Sequence, residues 1–174
     1  ETLYPAGAVK MRFIENHDNP RAAGVLGGRH ALLNWTVFYS LLPGATLVYA
    51  GQEVALSHCP DLFSQDTVRW DEGDPEFPSF MRDVLGLSKE IKKSCTRFAV
   101  SELREGVVKI VWRGDEATYV AFLNLGGKDG RVCLHESEAS ELQQGEVCLG
   151  RLDECGRLRL RLEDMPLVIR DISF

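Results

Sequence analysis

The sequence has no long apolar run. Nothing approaches the roughly 18–20 consecutive apolar residues that a membrane-spanning helix needs, so no membrane partner is expected. It also lacks a basic cluster. The short positive runs at Lys89–Lys93 and Arg157–Arg161 are broken by Glu90 and by leucines. With a net charge of −6, phosphate-backbone binding is disfavoured, and no nucleic-acid partner is expected. No CxxC pair occurs among the five cysteines (Cys59, Cys95, Cys133, Cys148 and Cys155), so no structural zinc site, other metal or cofactor is expected. Their odd count and irregular spacing favour free thiols in a reducing, cytoplasmic compartment, with a secreted protein, or one disulfide between C-terminal strands, as the alternatives. His58, Cys59 and Asp61 form one local cluster without a second half, which is too little for a metal. Internal repeats and low-complexity segments are absent. Glu1–Lys10 lacks the order of a signal peptide and the chain starts without methionine, so a segment upstream of Glu1 is expected.

What is present is ordinary for a soluble globular chain of 174 residues: 44% hydrophobic and 26% charged, enough to bury a sizeable core. Two regimes are visible. In the first, Val9–Ile14 reads as a short strand and Glu15–Gly28 as a polar loop. Arg29–Leu42 reads as a helix, with Leu32, Trp35, Tyr39 and Leu42 at helical spacing. Its other faces are apolar too, through Ala31, Leu33, Val37, Phe38 and Leu41, so it should be covered on more than one side. Pro43-Gly44 ends it. Thr46–Ala50 is a β-branched apolar run that fits a strand buried on both faces, as in a parallel sheet. Residues 52–76 form a long connection, a length that usually signals function. A second amphipathic helix follows, starting at Asp74-Pro75 and marked by Phe80, Val84, Leu87 and Ile91. This β-α-β-α order implies parallel βα units, and two strands alone cannot complete such a sheet.

From about residue 96 only strands are expected: 97–103, 107–113, 117–124, 129–135, 145–151, 156–162 and 166–173. Turn signals include Glu105-Gly106, Gly114-Asp115, Gly126-Gly127, Gln144-Gly145 and Cys155-Gly156. Val108, Ile110 and Trp112 alternate with Lys109, Val111 and Arg113, and Leu158, Leu160 and Leu162 alternate with arginines. Many short alternating strands imply an antiparallel sandwich.

The chemistry concentrates in Phe13-Ile14-Glu15-Asn16-His17-Asp18. Here a strand gives way at once to ionisable residues, and the C-terminal ends of parallel strands are where catalytic groups sit. Neighbours in a regular strand face opposite ways, so His17 and Asp18 can share a site only if the strand ends or bulges there. A polar loop capped by Asn16 or Asp18 is the alternative.

FIENHD resembles the F-x-x-x-H-D region of the α-amylase superfamily, glycoside hydrolase family 13, and Asn19-Pro20-Arg21 extends it to the NHDNPR of some members. Further on, Gly44-Ala45-Thr46-Leu47-Val48-Tyr49-Ala50-Gly51-Gln52-Glu53 resembles that family's G-x-P-x-x-x-x-G-x-E region, with Thr46 where proline is usual. Val68-Arg69-Trp70-Asp71 and the helix after it resemble the entry to the last barrel helix. The motifs cover nearly the whole chain in the right order.

The resemblance implies an α/β plus all-β chain. Residues 1–94 would be the last two βα units of a (β/α)8 barrel, and 95–174 a C-terminal antiparallel β-sandwich. It implies a parent that is a retaining glycosidase acting on α-glucosidic bonds in starch or maltooligosaccharides. Asp18 would be the family's transition-state-stabilising carboxylate, with His17 and Asn16 in the same sugar-binding corner. Arg21, also a candidate for substrate binding, could either reach the sugar or ion-pair with a neighbouring loop. The nucleophile and the acid/base would lie upstream, so this chain alone is expected to be inactive. Glu15 falls at a variable position of the motif and Glu53 at a structural one. Tyr49 is expected in the core, and Trp70 either packs under the long loop or stacks on a sugar. Two orphan βα units would also leave an open strand edge and invite self-association or partial disorder of residues 1 to about 60. The rival from another class is a non-catalytic carbohydrate-binding or structural accessory module. Against it, the second half offers only Phe98, Trp112, Tyr119, Phe122 and Phe174, mostly at core-like positions.

Overall fold

The computed structural model describes residues 4–5, 7–126, 131–133, 145–150, 159–162 and 165–171. Leu158, the Cys155-Gly156 turn, Phe174 and the first three residues lie outside the described residues. Strand β1 (Met11–Arg12) leads through a polar loop to the short helix α1 (Ala22–Val25) and then to α2 (Arg29–Leu41). Strand β2 (Ala45–Thr46) pairs with β1 in parallel, Met11 against Ala45 and Arg12 against Thr46. The expected βαβ connection is therefore present.

Both strands are shorter than Val9–Ile14 and Thr46–Ala50 led us to expect. Among the described residues β1 and β2 pair only with each other, so no outer ladder holds their flanks extended. Residues 46–49 are correspondingly half-buried and Ala50 is exposed, not buried on both faces as the run implied.

α2 does have cover on more than one side. Leu32, Leu33, Val37 and Leu41 enter the main core, and Asn34, Thr36 and Ser40 are buried with them. Helix α3 (Phe77–Ser94) packs against α2 through Phe77, Phe80, Met81, Val84 and Ile91, and Ser88 Oγ donates to the Ser40 carbonyl at 2.6 Å. Asp74 starts α3 by accepting from the Glu76 N–H at 2.9 Å. Near its C-terminus, where positive charge suits the helix dipole, Lys92 Nζ reaches the Gly44 carbonyl at 3.1 Å and Thr46 Oγ1 at 3.2 Å.

α3 runs directly into β3 (Cys95–Arg104). Then come β4 (Val107–Gly114), β5 (Thr118–Asn124), β6 (Arg131–Cys133), β7 (Glu146–Leu149), β8 (Arg159–Arg161) and β9 (Leu167–Asp171). Five of them form an antiparallel sheet in the order β3-β4-β5-β9-β7, and β6 pairs with β8 in an antiparallel ribbon. Strand alternation sorts the side chains. Ile110, Trp112, Tyr119, Ala121, Leu123 and Val168 face the helices, whereas Val107, Phe122, Leu167 and Ile169 pack with Val132 and Leu162 on the other face.

The helical half and the sheet share one core, and buried polar bonds cross it. Trp112 Nε1 donates to the Leu41 carbonyl at 2.8 Å, and Asn34 Oδ1 accepts from the Asn124 N–H at 2.9 Å. Leaving either donor unsatisfied in this interior would cost about 1–3 kcal/mol.

Candidate active-site corner

The corner is built where β1 ends. The backbone leaves the strand after Arg12 and reaches Glu15, which is 1% exposed. A carboxylate taken out of water needs partners, and Glu15 has two. Oε1 accepts from Arg21 Nη1 at 2.7 Å, and Oε2 accepts from the Ala22 N–H at 2.8 Å. Arg21 is also 1% exposed. Its Nε donates to the His58 carbonyl at 3.0 Å, Nη2 donates to the Ala50 carbonyl at 2.8 Å, and its guanidinium lies 4.5 Å from the centroid of the Tyr49 ring. One arginine thus joins the loop after β1, the turn after β2 and the start of the long connection.

The turn after β2 is shaped by its own side chains. Gly51 has φ +93°, and a Cβ there would crowd Leu56 Cδ2 at 3.1 Å and Arg21 Nη2 at 3.2 Å. The Gly51 N–H donates to Glu53 Oε2 at 2.8 Å, and the Tyr49 N–H donates to Gln52 Oε1 at 3.1 Å. Gln52 Nε2 in turn donates to Tyr39 Oη at 2.9 Å, and burial pushes that phenol up to about 12. Gly44 answers a different demand: a Cβ there would overlap the Lys10 carbonyl oxygen where β1 and β2 meet.

Between Glu15 and Arg21 the chain turns outward. Asn16 Oδ1 accepts from the Asp18 N–H at 2.9 Å and from Asn19 Nδ2 at 2.7 Å, a side-chain-closed turn. His17 and Asp18 project from it, with side chains 62% and 69% exposed, and His17 Nε2 lies 3.3 Å from Asp18 Oδ2. The strand has ended before them, which is the condition for adjacent residues to meet. Asn16, His17 and Asp18 are therefore together at the surface. Arg21 is beneath them, its guanidinium bonded to Glu15 and to two carbonyls. A cavity of 250 Å³ lined by Tyr4, Lys10, Arg12, Pro43 and Gly44 lies at the opposite, N-terminal end of the two strands.

Sequence reasoning passed over Glu15 as a variable position; the opposite charge six residues on, at Arg21, was the available signal. It did not single out Asp66, whose Oδ2 lies 2.8 Å from His58 Nε2. Trp70 is 52% exposed. Among the described residues Cys59, Cys95 and Cys148 are free thiols, no group of three or more His, Cys, Asp and Glu side chains is placed to hold a metal, and no helix is long and apolar enough to cross a membrane.

No sequence-family model matches the chain, and no curated protein matches it in sequence. Solved structures do match. An α-amylase from Lactobacillus plantarum superimposes with a TM-score of 0.75 at 23% identity, over 97% of this chain and 39% of that one. The α-amylase fold is present in part. A maltogenic α-amylase from Thermotoga neapolitana gives 0.76 at 23% identity, over 99% of this chain and 43% of that one. The trehalose-6-phosphate hydrolase of Bacillus licheniformis gives 0.70 at 13% identity, over 96% and 44%. The chain thus spans less than half the length of these α-amylase-fold structures, and its antiparallel sheet fits their C-terminal β domain.

Proposed function

We propose that the chain is the C-terminal part of an α-amylase-superfamily glycoside hydrolase, with residues 1–94 contributing the last two βα units of its barrel and 95–174 its C-terminal sandwich. The observation that carries this reading is the pair His17 and Asp18, held side by side just beyond the C-terminal end of a parallel strand in an α-amylase-like fold. The bare strand flank fits it as well. Val9, Met11 and Phe13, at every second position through β1 and its flanks, are 74%, 59% and 40% exposed, as residues would be that earlier barrel strands and side chains cover.

In this reading the parent cleaves α-glucosidic bonds in starch or maltooligosaccharides by double displacement. That mechanism needs a nucleophile and an acid/base about 5–5.5 Å apart, both expected from upstream strands. Asp18 would sit beside the reacting sugar ring and place negative charge near the positive charge that develops at its anomeric carbon. Such a charge counts most once the site is closed from water. His17 would donate to sugar hydroxyls. Asn16 fixes the turn that presents both. Arg21 acts from below as a positioning residue, because its guanidinium is bonded to Glu15 and to two carbonyls.

The decisive assay is turnover of starch, maltooligosaccharides or cyclodextrins by the 174-residue chain. None is expected. Turnover that disappears in an Asp18→Asn variant would overturn the assignment of the bond-breaking groups to upstream strands. A separate sugar-binding sandwich is disfavoured by its aromatics: Trp112, Tyr119 and Phe122 are all buried.

A further inference from the structure

The long connection between β2 and α3 contains a structured loop, residues 57–68, whose tip has no part in the corner described above. Both its ends rest on the same hub. The His58 carbonyl accepts from Arg21 at 3.0 Å, and Val68 Cγ1 packs at Gly51, beside Arg21 Nη2. A side-chain bridge closes its neck, His58 Nε2 to Asp66 Oδ2 at 2.8 Å. The same Asp66 oxygen accepts from the Asp61 N–H at 3.1 Å. Asp61 then holds the tip, accepting from the Phe63 N–H and from Ser64 Oγ, each at 2.8 Å. These hydrogen bonds keep the carboxyls of both Asp61 and Asp66 below the ordinary carboxylate range, with the Phe63 and Asp61 N–H groups as the leading causes. The tip that this network fixes is Phe63, 97% exposed, next to Leu62 at 56%.

We propose that Phe63 is an aromatic platform on which a glucose ring of an α-glucan stacks. The proposal rests on the reading of the chain as part of an α-amylase-like enzyme, and names a further sugar contact of that site.

A phenyl ring in water forgoes the burial that drives phenylalanine inward. A loop whose ends, neck and tip are all bonded loses little further freedom when a ligand arrives. The ligand class follows from the surroundings. Two apolar side chains are flanked by Asp61, Ser64, Gln65 and Asp66. A protein interface wants a broader apolar centre. A pyranose matches the mixture, because one of its faces presents C–H groups to a ring while its hydroxyls reach polar neighbours. Continuity with Asp18 comes through Arg21, three residues on, which holds the turn after β2 and the stem of this loop with one guanidinium.

The test is calorimetric titration of the full 174-residue chain with maltoheptaose at millimolar concentration, alongside Phe63→Ala, Phe63→Trp, Phe63→Leu and Asp18→Ala variants. Phe63→Ala and Phe63→Leu should each bind about threefold to tenfold more weakly, and Phe63→Trp should bind at least as well as the unaltered chain. Unchanged affinity in Phe63→Ala with weaker binding in Asp18→Ala would overturn the platform and leave the corner standing. Weaker binding in Phe63→Ala with no effect of Asp18→Ala would uphold the platform and remove Asp18 from the sugar site. No binding by the unaltered chain would overturn both. Sedimentation of the same variants covers the rival occupant: a dimer that Phe63→Ala converts to monomer without changing sugar affinity would assign the tip to a second copy and overturn the proposal.

Discussion

Arg21 and Glu15 are joined at 2.7 Å with both side chains no more than 2% exposed, so each compensates the other's charge in the hub beneath the candidate site. Removing one partner strands the other in a medium that solvates charge poorly. Arg21→Met should therefore destabilise the fold by about 3–5 kcal/mol. Urea unfolding followed by circular dichroism measures it, and a loss within experimental error would show that the pair is not needed to hold the corner.

Asp18 lies above that hub and is 69% exposed. Asp18→Asn should change stability by no more than about 0.5 kcal/mol, as surface substitutions usually do. It should still weaken maltooligosaccharide binding. A clear drop in unfolding free energy would mean that the carboxylate supports the turn itself instead of being held ready for a ligand.

Gly51→Ala tests the turn after β2. Positive φ and contacts at 3.1–3.2 Å to Leu56, Arg21 and Val68 both oppose a side chain. The expected cost is about 1–3 kcal/mol, seen as a lower thermal midpoint. An unchanged midpoint would contradict the crowding around Arg21.

Tyr39 predicts a limit at alkaline pH. Its phenol is pushed from 10.0 up to about 12, chiefly by burial. The folded state therefore holds the proton more tightly than the unfolded state. The stabilisation is complete below pH 10, and is lost as pH rises from there through about 12. Tyr119 acts in the same direction. It too is raised to about 12, first by burial and then by donating to Glu90 Oε1 at 2.6 Å. Unfolding free energy should fall across this window, and the fall should be smaller in Tyr39→Phe and in Tyr119→Phe. A profile that stays flat from pH 10 to 12 would rule out the buried phenols as its source.

Self-association is the last expectation. Among the described residues β1 and β2 pair only with each other, and Val9 and Met11 lie open. A sheet edge of this kind recruits another strand. Sedimentation should show concentration-dependent assembly that charged substitutions at Val9 and Met11 suppress. A monomer at all concentrations would count against an incomplete barrel.

Local patterns in the sequence determined a good deal. Helical spacing from Phe80 to Ile91, two-residue alternation around Ile110 and Trp112, and Pro43-Gly44 after α2 are preferences that neighbouring residues express without help. The order of motifs around His17-Asp18 and Gly44–Glu53 pointed to the fold, which the solved structures then matched. Tertiary structure decided what depends on distant partners. The shortness of β1 and β2 reflects which strands are available to pair. The burial of Arg21 depends on Ala50 and His58, 29 and 37 residues away, whose carbonyls give it acceptors inside the protein. Asn16, His17 and Asp18 form a turn closed by the Asn16 side chain, while the partners that bury Arg21 next to it come from segments far along the chain, which no local pattern could name.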